Sequence, residues 1–179
     1  MIDLLHLTSP THHPVIHRLH QIWLALTLRT APDVDPTLLP NEHVCRLFQG
    51  LHPHDQRHLI AVYEKAVAAG LPPDVCTAGL LHDIGKVTLA GTKISLAARI
   101  AHVLLQHFSP SLEARMIERS GPWLGVGLRL AKNHGHLGAD RLRALAVEPG
   151  ICEIVERHDD CTHPDPAVRL LQEIDSATP

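Results

Sequence analysis

An all-α, single-domain bundle is the fold class this sequence predicts, on three observations. Alanine and leucine abound while aromatic residues make up only 3% of the chain, a composition that favours helix over strand. Apolar residues recur at helical spacing in one segment after another, and proline and glycine punctuate those segments. At 179 residues, 45% apolar and 20% charged, the chain is long enough to bury one core and too apolar to be disordered.

The elements follow in order. Residues 14–29 set Val15, Ile16, Leu19, Ile22, Trp23 and Leu26 at a helix period. Pro32, Pro36 and Pro40 then interrupt the chain, and Asn41 is suited to cap a short helix through Phe48. Residues 1–50 read as a helical preface, too short for a core of its own, and 51–179 as the main domain. From Pro53 a strong helix carries Leu59, Ile60, Tyr63, Ala66 and Val67 as its buried stripe, with Gly70 as a natural stop. In the next helix, Val75, Ala78 and His82 share one face at i, i+3, i+7, and Ile84-Gly85-Lys86 turns the chain away.

Residues 94–108 return to helix, with a stripe through Ile94, Ala97, Ile100, Ala101, Leu104, Leu105 and Phe108; His102 and His107 fall off it and read as surface residues. A helix of mixed character spans 111–119, and 123–133 is a further helix interrupted by two glycines. Residues 150–159 read as a helix with Ile151, Ile154, Val155 and His158 at i, i+3, i+4, i+7, which turns His158 inward. In the last helix Val168, Leu171 and Asp175 share a face at i, i+3, i+7.

Composition narrows the function classes. A formal net charge of −3 gives no basic footprint for long nucleic acid, although a small phosphorylated substrate stays open where metal ions supply local positive charge. Cys45, Cys76, Cys152 and Cys161 form no CxxC pair and read as reduced thiols. The N-terminus lacks the basic and long apolar regions of a signal peptide, and no apolar run approaches the roughly 18 residues of a membrane span. A soluble cytoplasmic protein is the expectation. Neither an internal repeat nor a phosphate-binding glycine-rich loop is present.

Histidine is the outlier, 16 residues in all, so accidental histidine motifs are common and only those in a structured context count. His82-Asp83, at the inner end of an apolar helix, is costly to bury uncompensated, and a first-row transition ion would compensate it. Asp175 poses the same problem on its own apolar face. His158 admits two readings, a metal ligand or a buried histidine satisfied by a backbone carbonyl.

The segment LLHDIGK resembles the core motif of the HD superfamily of metal-dependent phosphohydrolases, whose ligands come in the order His, His-Asp, Asp. The likeness covers about residues 50–177. His58 falls where the first ligand lies, and the ending LLQEIDSAT resembles the last motif, with Asp175 as its aspartate. His134-Gly135-His136-Leu137-Gly138 resembles the HPxxG segment of HD-GYP phosphodiesterases, with glycine in the proline's place, an exchange expected to loosen the entry to the next helix; His136 is an alternative to His134 as ligand. HD-GYP proteins carry a His-His pair where this chain has His158-Asp159, and no GYP tripeptide follows. Asp159, set towards another face of the helix, is expected at most to orient a ligand.

That resemblance implies an HD-type bundle with a central metal site. Asp83 would bridge two divalent ions (Mn, Fe, Co or Ni), with His58, His82 and Asp175 on one and His134 and His158 on the other. The implied activity is metal-dependent hydrolysis of a phosphomonoester or phosphodiester, on a small phosphorylated metabolite or nucleotide, by a metal-activated hydroxide. Asp83 and Lys86 would be the catalytic residues. Lys86 would touch a phosphate or serve as a helix-end charge, and Arg57 would meet a phosphate or stay solvated. A non-catalytic HD module binding a ligand or protein, and a di-iron oxygenase on the same bundle, are the alternatives.

Overall fold

The computed structural model describes residues 30–87, 95–119, 124–160 and 162–178, and the helix expected at 14–29, like Cys161, lies outside them. The described residues are helical, with no strand among them. The α-helices are α1 (Glu42–Gly50), α2 (Pro53–Ala68), α3 (Pro73–Leu81), α4 (Leu96–Phe108), α5 (Pro110–Arg119), α6 (Leu124–Lys132), α7 (His134–Ala144), α8 (Pro149–Glu156) and α9 (Pro166–Ser176). Short 3-10 turns occupy Pro36–Leu38 and Ile84–Lys86. Cys45, Cys76 and Cys152 are free cysteines, Cys76 and Cys152 of them buried. No helix is long and apolar enough to cross a membrane among the described residues.

Local chemistry sets the helix starts. The Asn41 side chain accepts from the His43 and Val44 amides and opens α1, and its amide donates to the Leu145 carbonyl at 3.0 Å, tying α1 to the end of α7. Pro53, Pro73, Pro149 and Pro166 each stand at a helix start, where a missing N–H costs nothing. Ser95 and Asp165 cap α4 and α9 through their side-chain oxygens.

The core is built around α3, which packs against α2, α8 and α9 and buries Val75, Cys76, Ala78, Leu80 and Leu81. A short helix apolar on every side belongs in the middle of a bundle. Val44 and Phe48 of α1 join the same core as Leu51, Leu59 and Val62, so the part of the preface that is described completes the main core. Lys65 donates to the buried Thr178 hydroxyl at 2.9 Å and pins the end of α9 to α2.

Two stripes differ from expectation. In α2 Val62, outside the expected stripe, is fully buried along with Leu59 and Ala66, while Val67 is 51% exposed, because α3 and α9 cover the face centred on those three residues. In α4 the packed residue is Ala98, with Phe108 72% exposed. Among the described residues that helix packs chiefly on α5 and α6. His102, expected on the surface, is half-buried and hydrogen-bonds the buried Glu113 carboxylate of α5.

The 3-10 turn after Asp83 lies directly against α7. A Cβ at Gly85 would collide with the His134 carbonyl oxygen and come within 2.8 Å of the Gly138 amide nitrogen, so only glycine lets the two backbones meet. The Arg141 guanidinium of α7 reaches back to the Val87 carbonyl, and to those of Ile84 and Gly85 at 3.4 and 3.5 Å, clasping the turn. Gly85→Ala is therefore expected to destabilise the protein by about 2–4 kcal/mol, the range of severe overpacking. An unchanged urea midpoint would show that the turn moves freely against α7.

Candidate metal centre

Three helices end at one place. His82 is the C-cap of α3, His134 follows α6 by two positions, and His158 follows α8 by two. Each imidazole Nδ1 lies 2.8 Å from the carbonyl three residues back: His82 to Gly79, His134 to Ala131, His158 to Val155. A carbonyl only accepts, so all three Nδ1 atoms carry the proton. The rings thereby satisfy carbonyls that every helix leaves orphaned at its end, and their Nε2 atoms point to a common centre. The reading of His158 as a buried histidine satisfied by a backbone carbonyl holds at Nδ1, and Nε2 is left for the other.

The centre is lined by carboxylates. Asp175 Oδ1 lies 2.8 Å from His58 Nε2 and 3.3 Å from His82 Nε2. Asp83 divides its oxygens: Oδ1 is 3.3 Å from His134 Nε2, whereas Oδ2 is 3.8 Å from His82 Nε2 and also takes the Lys86 ammonium. His134 Nε2 and His158 Nε2 are 3.1 Å apart. With both Nδ1 atoms already donating, these nitrogens face each other lone pair to lone pair unless a proton or a cation stands between them.

The ligand-type atoms fall into overlapping groups within reach of one ion each: His58, His82 and Asp175; His82, Asp83 and His158; His134, His158 and Asp159. Neighbouring donors around an ion with bonds of about 2.0–2.2 Å stand about 3.0–3.4 Å apart, which these separations approach. Nitrogen and carboxylate donors suit first-row divalent ions, and the partial negative ends of α3, α6 and α8 favour cations. The donor set fits a metal.

His58, His82, Asp83, His134, His158 and Asp175 therefore come together. His136 does not; its exposed ring hydrogen-bonds Glu156 at 2.9 Å. Arg57 is exposed and donates to the Thr30 carbonyl, outside the cluster. Lys86 is held by Asp83, its side chain partly exposed. Helix α8 stops at Glu156, short of the expected 159, and a turn carries His158 inward and Asp159 with it. Gly135 does not loosen the entry to α7: a Cβ there would sit 3.0 Å from the Glu156 carbonyl oxygen and 3.3 Å from the His158 ring. Its bareness lets α7 close on the end of α8. Gln172, which the sequence reading passed over, donates to the His158 and Asp160 carbonyls at 3.0 and 2.8 Å. Only its place one turn before Asp175, i+4 from Val168, marked it in the sequence.

The charges are strongly coupled. Burial opposes a charge on His82, but the Asp83 and Asp175 carboxylates overcome it and raise its pKa to about 9. Burial, together with the charge on His82, drops His158 to about 4. Burial works against ionised Asp83, yet Lys86, His82 and His134 hold it well below the usual carboxylate range; Asp175 is held low against burial by hydrogen bonds from His58 and His82. Without an ion, the centre thus stores its positive charge as a proton on His82 and as the Lys86 ammonium.

The chain matches no family model, no curated protein and no solved structure. What the centre does must be read from its own geometry.

Two outcomes follow from the charge pattern. A His82 nitrogen with a pKa of about 9 must lose its proton to bind a metal, so uptake near pH 7.5 is expected to release about one proton from it, and near pH 10 almost none. Calorimetry in buffers of different ionisation enthalpy measures that number. Lys86→Ala is expected to destabilise the metal-free protein by about 1–3 kcal/mol, since it strips a buried carboxylate of its cation. Added Mn2+ should close most of that gap in thermal melts, because a second cation then serves Asp83.

Proposed function

We propose that this protein is a metal-dependent phosphohydrolase of the HD type, acting on a small phosphorylated metabolite or nucleotide with one or two divalent transition ions. The supporting observation is the convergence of three helix-end histidines, each with its proton locked on Nδ1, upon the carboxylates of Asp83 and Asp175. The order His58, His82-Asp83, His134, His158, Asp175 along the chain matches the order of ligands that the HD likeness implies.

On this reading His58, His82 and Asp175 would hold one ion, His134 and His158 the other, and Asp83 would be shared between them. The chemistry such ions supply is Lewis acidity, which makes water acidic near neutral pH and draws charge from a phosphoryl oxygen. The protein's own part is placement. Backbone carbonyls fix the three ring orientations, and the Gly85 contact with α7 fixes Asp83 between the two histidine sets. Lys86, partly exposed beside Asp83, presents a positive charge where an anionic phosphate would approach. Arg57 donates to the Thr30 carbonyl and stands outside the histidine cluster.

The test joins metal content to turnover. Metal-stripped protein reloaded with Mn2+, Fe2+, Co2+ or Ni2+ is expected to hydrolyse an aryl phosphomonoester or phosphodiester. Asp175→Asn should remove at least about a hundredfold of that activity and lower metal content, with helicity unchanged. Metal uptake without hydrolysis of either ester or of phosphorylated metabolites would make the domain a binding module. Iron uptake with oxygen consumption and no hydrolysis would make it an oxygenase.

A further inference from the structure

The donors of the centre are unequal in one respect that bears on how it fills. His58, His82 and Asp175 lie against the core helices α2, α3 and α9, and a small pocket lined by His82, His158, Val168, Leu171, Gln172 and Asp175 adjoins them. The other group, His134, His158 and Asp159, opens to solvent through one member: the two histidine rings are 12% and 6% exposed, but the Asp159 side chain is 75% exposed. Its Oδ2 nevertheless stands 3.5 Å from His158 Nε2 and 3.7 Å from His134 Nε2, closing a triangle whose third side is the 3.1 Å between the two rings.

An exposed carboxylate usually samples many positions, yet this one is presented by a fixed backbone. The Gln172 side-chain amide donates to the carbonyls on both sides of it, those of His158 and Asp160, and so spans residue 159. Asp160 in turn accepts from the Thr162 amide and hydroxyl. The turn that ends α8 thereby holds Asp159 over the two Nε2 atoms that face each other.

We propose that Asp159 is the outermost ligand of a second cation site, formed with His134 and His158, which is weaker than the inner site, fills after it and empties first. This rests on the metal reading above and adds to it an order of loading. The weakness has two causes. A carboxylate in water keeps its hydration and its charge is screened, so Asp159, 75% exposed, contributes less than Asp175, whose side chain is 33% exposed. The outer pair of histidines faces each other at 3.1 Å, with the Asp159 oxygen 3.5 Å and 3.7 Å away, whereas the inner site has a carboxylate, Asp175, set directly between its two histidines. Activity would then follow divalent-ion supply through occupancy of the outer site alone, and Gln172 acts as a positioning residue for it.

Titrating Mn2+ into the metal-stripped full chain by calorimetry, with metal content after dialysis, decides the matter. The wild type is expected to show two sites at least about tenfold apart in Kd. Asp159→Ala should weaken the looser site by a further tenfold or more, or abolish it, and leave the tighter one within about twofold. Gln172→Met, of similar size but without the donors, should weaken the looser site in the same direction. Asp159 sits in an exposed turn, so its variant is expected to keep the wild-type melt. Two sites unchanged in both variants would overturn the proposal. A single site in the wild type would overturn it too while leaving the hydrolase reading intact, and no binding at all would sink both.

Discussion

The hydrogen bond from an imidazole Nδ1–H to the carbonyl three residues earlier is the interaction on which the centre depends, and it is made three times. Each instance solves two problems together. A helix end leaves carbonyls without partners, and a buried histidine needs a partner for its N–H. Pairing them fixes the tautomer, fixes the ring and leaves one lone pair for something else. Repeated at the ends of α3, α6 and α8, the device brings three lone pairs and three partial negative charges into one small volume. Such a volume is unfavourable without positive charge, and the charge of His82 and the Lys86 ammonium meet that need in the metal-free chain.

Holding helix ends this close demands bare backbone where they touch. Gly85 against the His134 carbonyl and Gly135 against the end of α8 are the points where a side chain would push the histidines apart. Arg141, donating to the carbonyls of the Ile84–Lys86 turn, binds the same seam from the side of α7. Precision at the centre therefore comes from contacts between main chains, reinforced by a few side-chain donors such as Gln172. The packed apolar core beneath, running from Phe48 through Leu59 and Leu80 to Val155, supplies the rigidity that those contacts need.

The sequence showed the helices well and their ends poorly. Periodicity placed α2, α3 and α9 because their faces bury against a common core, and Asn41 and the helix-opening prolines announced their starts. It misjudged α4, where Leu104 and Phe108 of the expected stripe are exposed and Ala98, off that stripe, is buried. At α8 the i+7 count placed His158 inward, yet the helix ends before it and a turn completes the journey. The same turn carries Asp159 to the cluster, a placement that a continued helix would forbid. Which residues gather at the centre was legible in residue order, whereas the orientation of each ring depends on which carbonyl it meets, and no spacing rule encodes that.

Glu113 shows how far the arrangement reaches. It is a buried carboxylate on α5, taken up by His102 of α4 and approached by Lys132 of α6 at 3.9 Å. An unpaired carboxylate there would be costly, so these contacts bind α4, α5 and α6 into one unit outside the main core. Lys132 is the last residue of α6, and its neighbour Ala131 supplies the carbonyl that orients His134. The position of that ring therefore depends on two packing units at once: α6 supplies its carbonyl partner, while α7, which His134 opens, sends Ala139 and Leu142 into the main core beside Val155 of α8. Among the described residues His134 is thus held where the cluster of Ala98, Leu130 and Ala131 meets the main core, and a shift of α6 against that core would turn its ring away from His158.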